Sequence, residues 1–177
     1  MKFNFETSYN QKSLSVMAKC IRKTSRKSKS KRSTILGWVV ILFALFLCFY
    51  PEDGVFVINS NKVITFIVAL IIFVVLIFQD KINGYFAKRH MLKGTEIAKS
   101  FFDTENRKEF VSETAVGKSQ FSFDKIQEIA ETSEYFVFIF SQNHAQIYDK
   151  NKLSGGSVDD FRAFLKDVTG KGIVSVK

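Results

Sequence analysis

The residue types in this chain that could do chemistry are few, and their spacing does not suit it. Gly117-Lys118-Ser119 copies the end of a P-loop, where backbone N–H groups and a Lys grip phosphates and a hydroxyl holds magnesium. The glycine such a loop needs five positions earlier is Ser112, and the flanking residues predict strands rather than a helix start. His90 and His144 are the only histidines. One falls among cations and the other in a predicted hairpin, with no third partner at ligand spacing. Asp159-Asp160 opens a predicted helix, where acids favour the dipole, while Glu128, Glu131 and Glu134 are read as exposed strand positions rather than acid–base pairs. Cys20 and Cys48 lie on different segments and give no disulfide or zinc framework. Cys20 is read as a free thiol in a reducing compartment and Cys48 as a small apolar filler. The expectation is no catalytic residue, no cofactor and no metal.

The charge of the chain is concentrated at one place. Residues 1–34 hold ten Lys and Arg against Glu6 alone, a net +9 that equals the charge of all 177 residues. Seven of the ten, Arg22, Lys23, Arg26, Lys27, Lys29, Lys31 and Arg32, fall within eleven positions. Directly behind them stand two uncharged apolar runs, Thr34–Tyr50 and Val63–Phe78. At about 1.5 Å per residue each covers roughly 24–26 Å, enough for a short crossing of a hydrocarbon layer about 30 Å thick. Neither carries a polar stripe, so a buried hairpin in a soluble core is the poorer reading. A cleaved secretory signal is not expected either, because the basic stretch ahead of the first run is long and Leu45–Tyr50 offers no small-x-small site.

The positive-inside rule then sets the orientation. Lys81, Lys88, Arg89 and Lys93 follow the second run, whereas the connection 51–62 has Glu52 and Asp53 against Lys62. Both termini are therefore expected in the cytoplasm and the connection outside. Arg22, Lys23, Arg26, Lys27, Lys29, Lys31, Arg32, Lys88 and Arg89 are the candidate lipid-headgroup contacts, each Lys or Arg beside an anionic leaflet contributing about 1 kcal/mol. Nucleic acid is not an expected partner, since no aromatic residue interrupts the basic run and Thr24, Ser25, Ser28 and Ser30 suit a solvated tether. Transport is disfavoured because the apolar runs hold no ionisable residue. Ala44 and Cys48 form the one small-xxx-small pair of the first run, a weak packing signal, and a homo-oligomer stays open.

The two soluble ends can build one domain. Met1–Glu6 alternates as a strand does, and Tyr9–Lys23 places Leu14, Met17, Ala18 and Ile21 on one helical stripe, capped by Ser8 or Asn10. Asp80–Leu92 continues the second apolar helix, with Gly94 as terminator. Six short segments then read as an antiparallel meander: 98–103, 108–114, 120–123, 126–132, 135–141 and 145–148. Tyr135–Phe140 loses alternation and is expected to be central, with both faces covered. Ser157 and Asp160 cap a last helix whose face carries Phe161, Phe164, Leu165 and Val168, ending at Gly170. The predicted organisation is a strand, helix and polybasic tether (1–32), a transmembrane hairpin (33–80, spans 34–50 and 63–79) and a cytosolic α+β domain (81–177). The fold class is membrane α+β: a two-helix transmembrane hairpin plus a cytosolic antiparallel β-sheet domain closed by a C-terminal helix, resembling the pleckstrin-homology-like fold.

The layout of two spans after a strand and helix, then Phe123-Asp124-Lys125-Ile126, Tyr135–Phe140, His144–Tyr148 and a terminal Phe-containing helix resembles the YcxB-like proteins of bacteria. The specific part of that resemblance runs from about Phe121 to Leu165, with Phe123 where the family often has Trp and Asp149-Lys150 where it has Pro-Lys. It implies a membrane-anchored cytosolic domain with no established catalytic role. The functional expectation is a non-enzymatic interaction module at the inner face of the bacterial plasma membrane, binding anionic lipid headgroups or an unidentified protein. An immunity protein that neutralises a toxin, and an enzyme acting on a membrane substrate, are the alternatives.

Overall fold

In the computed structural model, which describes residues 1–51 and 58–177, the strand that opens the chain is already part of the main sheet. β1 (Lys2–Ser8) pairs antiparallel with β2 (Ile97–Asp103) along its whole length, Lys2 opposite Asp103 and Ser8 opposite Ile97. Everything between them is thus an insertion into a β-hairpin. It consists of α1 (Gln11–Lys23), α2 (Lys27–Phe49) and α3 (Ser60–Arg89). Asn10 caps α1 by accepting from the Ser13 N–H at 3.0 Å, and the Ser13 hydroxyl accepts in return from the Asn10 N–H at 2.9 Å. The basic stretch is not a tether: after a turn at Thr24–Arg26 it becomes the first turns of α2 and runs unbroken into the apolar residues. Lys and Ser are adequate helix formers, and the apolar run gives the helix enough length to propagate backwards through them.

α2 and α3 pack side by side through a seam repeated every three or four residues. Gly37, Ile41, Ala44 and Cys48 on α2 face Lys62, Thr65, Ala69, Ile72 and Leu76 on α3, the spacing of antiparallel coiled helices. A Cβ on Gly37 would lie 2.8 Å from Leu76, and Trp38 meets Phe73 edge-on at 5.9 Å. The remaining circumference, Leu42, Phe43, Phe46, Ile71 and Phe78 included, is apolar and exposed. Both helices are long and apolar enough to cross a membrane. α3 ends at Arg89 with His90 as cap, and Gly94 (φ 88°) serves the turn that follows rather than the helix end. Half of the connection that the sequence places outside, residues 52–57 with Glu52 and Asp53, lies outside the described residues.

The expected single meander is two sheets. β3 (Glu109–Thr114) and β4 (Gly117–Ser122) extend the first, and β8 (Leu153–Ser154) adds to its other edge, giving the order β4-β3-β2-β1-β8. β5 (Glu128–Glu131), β6 (Tyr135–Ser141) and β7 (His144–Asp149) form the second, with β9 (Ile173–Ser175) parallel to β5. A short 3-10 turn, Phe123–Lys125, separates them. β6 is internal to its sheet and buried on both faces. Phe136 and Phe138 enter a core of aromatic rings between the sheets, with Phe3, Phe5, Phe102, Phe110, Phe123 and Tyr148. Val137 and Ile139 face outward into a second core under α1. α4 (Val158–Thr169) closes the open end of the sheets, Ser157 and Asp160 forming its capping box and Gly170 (φ 64°) its left-handed stop. Cys20 is a free thiol, fully buried against β6 and β7, and burial pushes its pKa up to about 11.

Glu131 corrects another expectation. Its carboxylate is not an exposed strand position but the centre of an ion cluster, accepting from Lys150 Nζ at 2.5 Å and from Arg162 at 2.6 and 3.0 Å. Lys150 also sits over the Phe136 ring at 4.7 Å. The cluster ties β5, the turn after β7 and α4 together. Burial alone would raise the Glu131 pKa, yet the hydrogen bonds from Arg162 and Lys150 outweigh it and hold the carboxyl below its ordinary 4.5. A group with a depressed folded pKa stabilises above its unfolded value and loses that contribution as pH falls through the folded one. Glu131→Gln is therefore expected to cost about 2 kcal/mol near neutrality, less than a fully buried pair because Arg162 is partly open to water. Acid titrations of stability check this: the variant's curve flattens below pH about 4.5 relative to the parent.

Candidate functional site

The cationic side chains singled out above are sorted by the helices that carry them. α1 crosses the base of the α2–α3 pair, so the turn Thr24–Arg26 folds the basic stretch against the place where the apolar run of α3 ends. Arg22 is committed there: its Nε donates to Asp80 Oδ1 at 2.8 Å and its Nη2 to Oδ2 at 2.6 Å. This bidentate, half-buried pair raises the Arg22 pKa, chiefly through the Asp80 hydrogen bonds, and neutralises the acid that follows the second apolar run. Arg26 donates to the Asn143 side chain in the β6–β7 turn.

Arg22, Arg26 and Lys29 line one side of a cavity of about 760 Å³. Its floor is the apolar stripe of α1, Leu14, Met17, Ala18 and Ile21, and its far wall is Gln79, Asn83 and Ala87 of α3 with Gln142 and Asn143. Ser30 and Ser33 complete it from α2. Cations, amides and hydroxyls over an apolar floor suit a molecule that is anionic at one end and hydrocarbon at the other. A second cleft of about 500 Å³ takes Lys23, Lys27 and Lys31 on the opposite flank of α2, against Val174–Lys177. Lys23 Nζ there donates to the Lys177 carbonyl at 2.8 Å. Arg32 is exposed and lines neither cavity. Lys88 and Arg89 stand in the last turn of α3, about 15 Å along the helix beyond Phe78, where they complement its dipole.

The residues read as chemically suggestive are placed apart. Gly117-Lys118-Ser119 begins β4, with Lys118 paired to Glu113 at 3.0 Å. His90 caps α3 and His144 stacks on Phe140 at 5.0 Å. Asp159 pairs with Arg162 in its own helix and Asp160 is spent on the cap of α4. Among the described residues no group of three His, Cys, Asp or Glu side chains is placed to hold a metal ion. What the sequence did not reveal is the cavity itself. Asp80 was legible only as a lone acid behind an apolar run, and Asn83, Gln142 and Asn143 only as polar residues of a helix and a turn.

Residues 106–165 match the model of the family described as YcxB-like protein. The matched stretch opens just before β3 and ends within α4, so it takes in the whole second meander and the Glu131 cluster, and it agrees with the resemblance carried by Phe121–Leu165. No curated protein and no solved structure matches the chain.

Proposed function

We propose that this chain is a membrane-anchored, non-catalytic interaction module that engages anionic lipid headgroups at the inner face of the bacterial plasma membrane. In this reading α2 and α3 cross the bilayer as a hairpin, both termini lie in the cytoplasm, and the sheets form a pleckstrin-homology-like domain held against the headgroups. Support for that fold is the arrangement of a four-strand and a three-strand antiparallel meander closed by a C-terminal helix, with β8 and β9 as additions. The single observation that carries the functional reading is the cavity holding Arg22, Arg26 and Lys29, because it lies level with the ends of both apolar runs. Arg22 shapes this site through Asp80, while Arg26 and Lys29 supply its open charge. Lys23, Lys27, Lys31 and Arg32 add attraction along the exposed flanks of α2.

Reconstitution of the full chain into nanodiscs of mixed phosphatidylcholine and phosphatidylglycerol tests the proposal, the retained lipid being read by native mass spectrometry. Phosphatidylglycerol is expected to be enriched, and Arg26→Gln with Lys29→Gln to weaken that preference by about 2 kcal/mol, one per cation. Equal retention of both lipids by the parent protein would overturn the headgroup reading. External protease that removed the C-terminal region from intact cells would overturn the orientation.

A further inference from the structure

A third cavity, of about 370 Å³, opens where the two sheets splay apart above the aromatic core. Inward positions run Phe102, Ser100, Ala98 along β2 and Phe110, Ser112, Thr114 along β3, so rings give way to small side chains and leave space. Leu14 and Met17 of α1, with Ala87 and Met91 from α3 and the turn beyond it, roof that space. Its floor is polar. The Ser100 hydroxyl donates to Ser112 Oγ at 3.1 Å, and the Tyr148 hydroxyl donates to Gln146 Oε1 at 2.5 Å.

Gln146 is only 9% exposed. Tyr148 is buried and its proton needs an acceptor, which fixes Oε1 toward the ring and turns Nε2 away from it. Nε2 has no protein partner, yet no sealed side-chain nitrogen or oxygen among the described residues lacks one, so this amide reaches open space in the cavity that Gln146 lines. Ser112 is likewise buried and accepts from Ser100, which leaves its own proton for the cavity. A floor made only to pack would not keep such donors, because unmatched buried polar groups are costly.

We propose that this cavity binds a neutral amphiphile that carries a carbonyl group. Its oxygen accepts from Gln146 Nε2 and the Ser112 hydroxyl, and its hydrocarbon part lies along Met17 and Met91. No Lys, Arg, Asp or Glu lines the space, and its one histidine, His144, is exposed and stacked on Phe140, so a charged head against the buried floor would be desolvated without a counter-ion. The volume is at the small end of ligand cavities, about 300–1,000 Å³, which favours one short chain over a diacyl lipid. The site adjoins the basic cavity across Leu14, Met17 and Ala87, which line both, but its polar floor is its own and the proposal does not rest on the headgroup reading.

The chain has three methionines, and two of them, Met17 and Met91, line this cavity. Met1 is exposed at the start of β1 and serves as an internal control. Full-length protein with carbon-13 methionine methyls, in phosphatidylcholine nanodiscs, is titrated with monodecanoylglycerol and, separately, with decanoate. The Met91 resonance is expected to move and saturate with the neutral probe while Met1 stays in place, and decanoate is expected to bind about tenfold more weakly. Gln146→Leu should weaken the neutral probe about tenfold and Ser112→Ala about fivefold, the scale of one lost hydrogen bond. If Gln146→Leu fails to fold, Ser112→Ala carries the same comparison. A Met91 resonance unmoved by monodecanoylglycerol, equal response to decanoate, or undiminished affinity in the folded variants overturns the proposal.

Discussion

Phe161→Ala is expected to remove about 4 kcal/mol from the sheet domain, a large share of the 5–15 kcal/mol that a domain of this size holds. Phe161 is fully buried, and its ring lies 4.7–5.4 Å from those of Phe3, Phe5, Phe102 and Phe136, which come from both sheets. Truncation leaves a void that rigid neighbouring rings fill poorly, so transfer and cavity terms add. Phe164, one turn on, is only partly buried against Phe3 and Phe123. Its replacement by Ala should cost about half as much. Amide hydrogen exchange of β6 in the full-length protein reads both, since this doubly buried strand opens only when the domain does. Equal losses for the two variants would mean that α4 does not plug the core through Phe161.

Which parts of this architecture could be read from residues alone depends on how local their causes are. The apolar runs, the capping pairs at both ends of the chain and the uninterrupted Tyr135–Phe140 announce themselves because the cause lies within a few positions. β9 escaped because a three-residue strand has no period of its own. It exists because α4 returns the chain beside β5, which is a property of the topology. Glu131 was misplaced for the same reason. The residues that follow it, Thr132, Ser133 and Glu134, are polar, but Lys150 and Arg162 reach it from elements that only the fold assembles. Cys20 looked surplus to a helix with one apolar stripe, whereas α1 packs on two sides, against α3 and against the second sheet. The basic run was legible as charge but not as a site. Its division into two clefts follows from the turn at Thr24–Arg26, and the commitment of Arg22 follows from an acid 58 positions away.

Gly84→Ala is expected to loosen the joint between the sheet domain and the long hairpin while leaving each folded. At Gly84 the backbones of α1 and α3 approach closely: an added Cβ would lie 2.2 Å from Ser15 Oγ and 2.7–2.8 Å from the Ser15 backbone N and Cα. A side-chain clash can be relieved by a rotamer, but backbone cannot move without the helix moving. Overpacking of this kind costs about 3 kcal/mol, the upper end of its usual range. The strain falls one turn from Asp80, so parting the helices also pulls Arg22 off its carboxylate and spreads the walls of the basic cavity. Cys20, on the side of α1 that faces the sheet, should stay protected from alkylation, whereas enrichment of anionic lipid should fall about tenfold. Adding Ser15→Gly removes the hydroxyl but not the backbone, and so should restore little. Full restoration would show that only the hydroxyl stood in the way. A variant with its lipid preference intact would mean that the seam between α1 and α3 does not shape the proposed headgroup site.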